Sequence, residues 1–400
     1  MSRLHVFGLW NRESEMYTIL TPPQIEMGSG SLASLKEIMA TYDSGRVLMV
    51  TDKGIRRSGI LDRVINAAQK DTNDFDIFDR VLPNPDIAIM EACGQVVAAA
   101  DYSLIIGLGG GSPMDLAKAA AVLPTNGGRI KPLLGRGMIS KPGLPLCLIP
   151  TTAGTGSEAT QAIVVDDPES QTKVAIWDRH VMPQVAIIDP DLTIGMPAHL
   201  TVDTGLDALV HGIEAYTARS SNPIAQAMAR ECIQLVARHL PGAVTDGNDP
   251  KARVGMSLAA TLGGLAISNG GLGAIHGLAY PLDTIKHIPH GRTVAIMAPW
   301  VMEFNRGGNE ATYARIARFL GEDVDNLDVR AASQKALNGF INLMESVGVS
   351  PYLAEHGIPP ADVDELAKEA FRGAQRLLPS NPRNMTEDDA VRIYRNAATR

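Results

Sequence analysis

Leu104-Ile-Ile-Gly-Leu-Gly109-Gly-Gly-Ser112-Pro-Met-Asp115 runs an apolar segment into a glycine cluster and then into a helix-forming stretch, Met114 to Val122. A strand ending in a flexible turn and a helix is the repeating unit of a parallel sheet covered on both faces. The same grammar extends outward in both directions. Arg46-Val-Leu-Met-Val-Thr51 reads as a buried strand closed by Asp52, with Ile60 to Lys70 as the helix behind it. Leu144 to Ile149 is a third strand, ending in Pro150-Thr-Thr-Ala-Gly-Thr-Gly-Ser157, and Gln184 to Ile188 a fourth, closed by Asp189-Pro-Asp191. Short apolar strands alternating with helices define an α/β unit.

Beyond Met196 the grammar changes. Thr204 to Ala218, Asn222 to Leu240, Lys251 to Ser268, Glu310 to Leu320, Arg330 to Val347 and Ala361 to Arg376 carry helical period, and Thr386-Glu-Asp-Asp389 is a capping box opening a last helix. The chain therefore divides into a parallel-sheet α/β domain over 1–195 and an all-α helical domain over 196–400.

Composition narrows the classes. The 400 residues carry 36 basic and 44 acidic side chains, a net charge of −8, which argues against nucleic acid as a partner. Apolar residues at 45% and charged residues at 20% are those of a well-cored globular chain. Cys93, Cys147 and Cys232 match no zinc or redox spacing and suit a reducing compartment. Met1 to Met16 holds no continuous apolar segment of a secretory signal, and no run approaches the roughly 18 apolar residues of a membrane span. A cytoplasmic protein with no membrane partner is the expectation.

The glycine cluster sits where open α/β sheets bind ligands. Glycines admit an anion close to the backbone, and the helix that follows offers unpaired N–H groups to a phosphate. The stretch is neither G-x-G-x-x-G, since Ser112 stands at the last glycine, nor a P-loop. A tight turn needing positive φ is the plain alternative. Thr151, Thr152 and Thr155 bring hydroxyls to the next strand end. Asp52 is either a helix N-cap or the acceptor of two ribose hydroxyls, which would favour NAD over NADP.

Gly205-Leu-Asp207-Ala-Leu-Val-His211 places a carboxylate and an imidazole at i and i+4 on one helix face, with apolar residues between them. Such a pair is either a packed or surface pair or two ligands of one divalent cation. His276 and His290, each in glycine-rich or apolar sequence, supply two more candidate donors.

Gly109-Gly-Gly-Ser-Pro-Met-Asp115-Leu-Ala-Lys118, Thr151-Thr-Ala-Gly-Thr-Gly-Ser-Glu158, Gly205-Leu-Asp-Ala-Leu-Val-His211 and His276 with Pro289-His290-Gly291 together resemble the iron-containing (group III) alcohol dehydrogenases. The order of motifs matches from Ile25-Glu-Met-Gly28 to Asn381-Pro-Arg383. The resemblance implies a dehydroquinate-synthase-like fold: a Rossmann-like nucleotide-binding domain, a helical metal-binding domain, and a cleft between them. It makes Asp207, His211, His276 and His290 the ligands of Fe²⁺, with Zn²⁺ as the alternative. It sets NAD, in preference to NADP, against Asp52, Asn84, Gly109, Gly110, Gly111, Ser112, Asp115, Thr151, Thr152, Thr155 and Lys173, with Leu192 packed near the cofactor. The activity implied is hydride transfer between the dinucleotide and a small alcohol, diol or hydroxy acid, or its aldehyde or ketone, in a homodimer or larger homo-oligomer.

Two positions depart from the family pattern. Tyr280 stands where many members carry a histidine thought to relay protons, which makes Tyr280 the candidate catalytic residue. Ile267 stands where many have phenylalanine, widening that wall of the pocket. Trp177 either covers the nicotinamide or packs. Lys286 and His287 either face an acidic substrate or form a solvated loop. Alternatives on the same fold are a zinc glycerol dehydrogenase and a dehydroquinate-synthase-type lyase; of another class, a non-catalytic NAD- or metal-sensing module.

Overall fold

The computed structural model describes residues 16–42, 45–69, 75–170 and 172–400. The N-terminal stretch read for a signal thus lies almost wholly outside the described residues. In chain order the first half comprises β1 (Gln24–Met27), α1 (Leu35–Thr41), β2 (Arg46–Val50), α2 (Lys53–Arg57), α3 (Ile60–Ala68), β3 (Phe75–Phe78), α4 (Ile87–Ala98), β4 (Tyr102–Gly109), α5 (Gly111–Val122), β5 (Gly135–Arg136), β6 (Leu146–Pro150), β7 (Ala162–Asp167), β8 (Thr172–Trp177) and β9 (Val185–Ile188). The helix read from Ile60 ends at Ala68; Lys70 lies outside the described residues.

Six strands form one parallel sheet in the order β1-β9-β6-β4-β2-β3. The four strands legible as apolar runs, β2, β4, β6 and β9, are its continuous centre. Their residues are buried by helices on both faces, one core gathering Leu48, Ile105 and Leu148 and the other Met49, Ile106 and Ile149. The edges β1 and β3 were missed because they are short and broken by Glu26 and Asp76, as half-exposed edge strands are. A second sheet, β5-β8-β7, was also missed. Its antiparallel hairpin β7–β8 carries Asp166 and Lys173, and it lies beside the main sheet rather than in it.

The sheet ends at Ile188, and after a short connection the chain is helical: α6 (Ala198–Thr217), α7 (Pro223–Thr245), α8 (Pro250–Gly270), α9 (Ala274–Thr284), α10 (His290–Arg306), α11 (Glu310–Phe319), α12 (Val329–Ser346), α13 (Val363–Ala374) and α14 (Glu387–Ala398). Thr386 and Asp389 exchange the hydrogen bonds of the expected capping box at α14. Two helices that the sequence did not announce, α9 and α10, begin at Ala274 and His290 and contain Pro281 and Pro299. The axes of α8 and α9 meet at 112°, a bend that no straight apolar span could make. Among the described residues, no single helix is long and apolar enough to cross a membrane.

The two halves meet backbone to backbone. Gly156, in the loop after β6 at φ 60°, faces Gly264 of α8; a Cβ on Gly264 would stand 2.4 Å from the carbonyl oxygen of Gly156. A Cβ on Gly154 would stand equally close to the carbonyl oxygen of Thr204. Only glycine permits this approach.

Candidate functional site

A cavity of about 690 Å³ runs between the halves, from Gly111 and Ser112 at the turn after β4 to Asp207, His276 and Tyr280 among the helices. Helical period explains the inner end. Asp207 and His211 lie one turn apart on α6, and both are buried. His276 enters from the first turn of α9, and His290 is the first residue of α10.

Around the Oδ1 atom of Asp207 stand three imidazole Nε2 atoms: His211 at 3.4 Å, His276 at 3.6 Å and His290 at 4.0 Å. Donor atoms of Asp207, His276 and His290 all fall within 4.8 Å of one another, a span one metal ion can bridge. His211 is outside that triplet. Its ring stacks on His276, with centroids 5.0 Å apart and planes at 11°.

The donor set fits a cation. Asp207 Oδ1 and His276 Nε2 are buried without a hydrogen-bond partner. Leaving such atoms unsatisfied is costly, and a carboxylate with imidazoles is a donor set for Fe²⁺ or Zn²⁺. Burial pushes the Asp207 carboxyl up, but the facing imidazoles of His211, His276 and His290 overcome it and hold it well below the usual carboxylate range. Burial lowers His211 to about 4, against the pull of Asp207.

Two supporting carboxylates were not assigned from the sequence. Glu214 of α6 receives the backbone N–H of Ile275 at 2.6 Å and pairs with His276 Nδ1 at 2.6 Å, turning Nε2 toward Asp207. Burial disfavours a charged His276, but the Glu214 carboxylate outweighs it, and with Asp207 raises the ring to about 9. Asp283 of α9 pairs with His290 Nδ1 at 3.1 Å. It is held at about 2: burial would raise it, but the bond from His290 and the charge of Lys173 prevail. Both were signalled by period. Glu214 lies seven residues after Asp207, and Asp283 seven after His276, two helical turns on one face.

Lys173 and Asn84 cross from the sheet half to this second carboxylate. Lys173 Nζ is 2.6 Å from Asp283 Oδ2, Asn84 Nδ2 donates to Asp283 Oδ1 at 3.1 Å, and Lys173 Nζ donates to Asn84 Oδ1. Both line the cavity, as do Gly111, Ser112, Asp115 and Thr155. Asp115 is an anchor as well: its oxygens accept from Ser157 Oγ at 2.6 Å and the backbone N–H of Val164 at 2.9 Å.

At the end of β4, just before the lining residues Gly111 and Ser112, Gly109 adopts φ 145°, and a Cβ there would strike Pro113, so the turn requires glycine. A Cβ on Gly110 or Gly111 would instead enter the space beside Thr152 or Thr155. Thr151 and Thr152 hydroxyls are buried and without partners. Asp52 caps α2: Oδ1 accepts from Gly54 and Ile55 N–H groups at 2.7 and 3.0 Å, while Oδ2 faces Gly109. Leu192 is 2% exposed and belongs to the sheet core rather than the cavity wall.

Ile267 lines the cavity, and so does Trp177, whose ring lies 5.1 Å from the Arg136 guanidinium. Lys286 faces away, paired with Asp362 at 2.6 Å, and neither it nor His287 lines the cavity. Tyr280 is buried one turn after His276, and its hydroxyl accepts from Arg376 Nη2 at 2.6 Å.

Comparison with known proteins covers both halves. Residues 22–190 match the family model described as iron-containing alcohol dehydrogenase, and 201–398 the model of the Fe-containing alcohol dehydrogenase family, C-terminal. The chain is 34% identical to the NAD-dependent methanol dehydrogenase of Bacillus methanolicus over 382 residues, 96% of this chain and 100% of the relative. It is 33% identical to the 1,3-propanediol dehydrogenase of Citrobacter freundii, covering 96% and 99%. Among solved structures, a 1,3-propanediol oxidoreductase superposes with TM-score 0.91 at 32% identity, covering 96% of this chain and 100% of that one. The NAD⁺ complex of sulfoacetaldehyde reductase from Bifidobacterium kashiwanohense does so with TM-score 0.83 at 28% identity, covering 96% and 99%.

Proposed function

Since the chain belongs to the iron-containing alcohol dehydrogenase family, we propose that the long cavity is its active site, with the dinucleotide at the glycine end and the reacting oxygen at the histidine end. The enzyme is an NAD-dependent oxidoreductase that interconverts small alcohols or diols with their aldehydes. The observation that carries the placement of the chemistry is the buried, unpartnered Oδ1 of Asp207 facing three imidazole Nε2 atoms.

In this reading Asp207, His276 and His290 hold the metal, and His211 completes the set. Iron, or zinc in its place, supplies Lewis-acid polarisation of the substrate oxygen, and the nicotinamide supplies the hydride carrier. Glu214 and Asp283 fix the ring orientations of His276 and His290, so both Nε2 atoms are presented without rotational search. Gly109, Gly110, Gly111 and Ser112 bring backbone to the diphosphate at the start of α5, and the free hydroxyls of Thr151 and Thr152 are available to it. Thr155, Asn84 and Lys173 line the route toward the metal; Asp115 braces it, and Leu192 supports it from the core. Asp52, one oxygen committed to the cap and the other facing the glycine turn, reads the ribose. Tyr280 Oη accepts from Arg376, which leaves its own proton free to exchange with the cavity.

The division of labour follows the chain: nucleotide over 1–195, metal over 196–400. A homo-oligomeric enzyme in the cytoplasm completes the reading, the compartment supported by three buried free cysteines. The test is NAD reduction by a panel of small primary alcohols and diols, with protein stripped by chelator and reloaded with Fe²⁺ or Zn²⁺. Metal-dependent formation of NADH is expected. No reduced cofactor with any substrate and either metal overturns the assignment.

A further inference from the structure

We propose that Arg376 makes the cavity select substrates with a carboxylate at the end remote from the reacting carbon: short semialdehydes and the corresponding hydroxy acids. This rests on the alcohol–aldehyde reading above and deepens it. Arg376, just beyond α13, lines the cavity together with Asp207, His276 and Tyr280. Its one side-chain hydrogen bond among the described residues is from Nη2 to the Tyr280 hydroxyl at 2.6 Å, and its guanidinium lies 5.3 Å from the Tyr280 ring centroid. No carboxylate of the described residues lies within 4.0 Å of it, whereas Lys173, another cation lining the cavity, is committed to Asp283.

A guanidinium has five N–H donors in a planar fork that matches a carboxylate. Here most of that fork is unspent, and it is steadied by a tyrosine that is 5% exposed. Ile267 and Leu377 give the neighbouring wall no competing charge. Tyr280 follows His276 by four residues on α9, which advances the helix by about 6 Å. The anion would therefore sit a short carbon chain away from the oxygen at the histidines. Arg136, the cavity's other guanidinium without an acidic partner, lies against Trp177 and serves as the control.

The experiment compares kcat/KM for NADH-dependent reduction of succinic semialdehyde and of butanal, matched in carbon number, by the Fe²⁺-loaded protein. The wild type is expected to favour the semialdehyde by about 10- to 100-fold, the range of one charge-assisted bond. Arg376→Gln brings the ratio close to one, chiefly through KM; Arg376→Lys retains part of it; Arg136→Gln retains it. A wild-type ratio near one, a ratio unmoved by Arg376→Gln, or one lost in Arg136→Gln instead overturns the proposal. If neither aldehyde is reduced, it is the alcohol–aldehyde reading that fails. The anion site is then judged by calorimetric titration of succinate into the Fe²⁺- and NAD-loaded protein: binding abolished by Arg376→Gln upholds it, and binding that is absent or indifferent to that change refutes it.

Discussion

Lys173 of β8 and Asp283 of α9 form an ion pair of 2.6 Å whose side chains are only 5% and 1% exposed. A residue of the small sheet thus fixes the carboxylate that orients His290. Removing one partner of a buried pair leaves an uncompensated charge. Lys173→Met is expected to destabilise the protein by about 3–5 kcal/mol in denaturant unfolding. Lys173→Met combined with Asp283→Leu should recover much of that stability while metal affinity stays low. A single variant as stable as wild type would refute the pairing.

Glu214 is tested through the metal rather than through turnover. Glu214→Gln removes the charge that aims His276, and competition with a chelator should show affinity weakened about 10- to 100-fold. Unchanged affinity would leave Glu214 with only its bond to the Ile275 N–H.

His276→Ala should lose bound metal yet still bind NADH, followed by cofactor fluorescence, because the glycine turn belongs to the other half of the cavity. His211→Ala separates a three-donor from a four-donor centre. A smaller loss of metal than in His276→Ala is expected from its position outside the close triplet.

Much of this arrangement was legible in the sequence, and what was not has physical causes. Strands β2, β4, β6 and β9 were readable because both faces are buried and their runs are continuously apolar. β1 and β3 escaped because edge strands tolerate acids. The candidate ligands could be named from their sequence context, but the helices that carry His276 and His290 could not, since glycines precede one and both contain an internal proline. Arg376 had no local signal: it reaches the cavity only through the packing of α13 on α9, far away in the chain.

Asp52 carries two duties that a well-chosen variant can part. Asparagine preserves the helix cap and discards the charge. Asp52→Asn should raise kcat/KM for NADPH relative to NADH with unchanged thermal stability. A fixed ratio would reduce Asp52 to its cap.

Gly264→Ala tests the meeting of the halves. The added methyl would stand 2.4 Å from the Gly156 carbonyl oxygen, and the rearrangement should cost about 1–3 kcal/mol in unfolding experiments.

That contact also limits how relatives can be recombined. A chimera that takes its front from one parent and its back from another inherits two surfaces that, at this point, close backbone against backbone. Grafts should therefore succeed only when both donors keep glycine at the positions of Gly156 and Gly264, however alike their coenzyme loops or histidines are. The place to redesign such an enzyme is the wall at Ile267, one helical turn further along, where a change of bulk leaves the joint undisturbed.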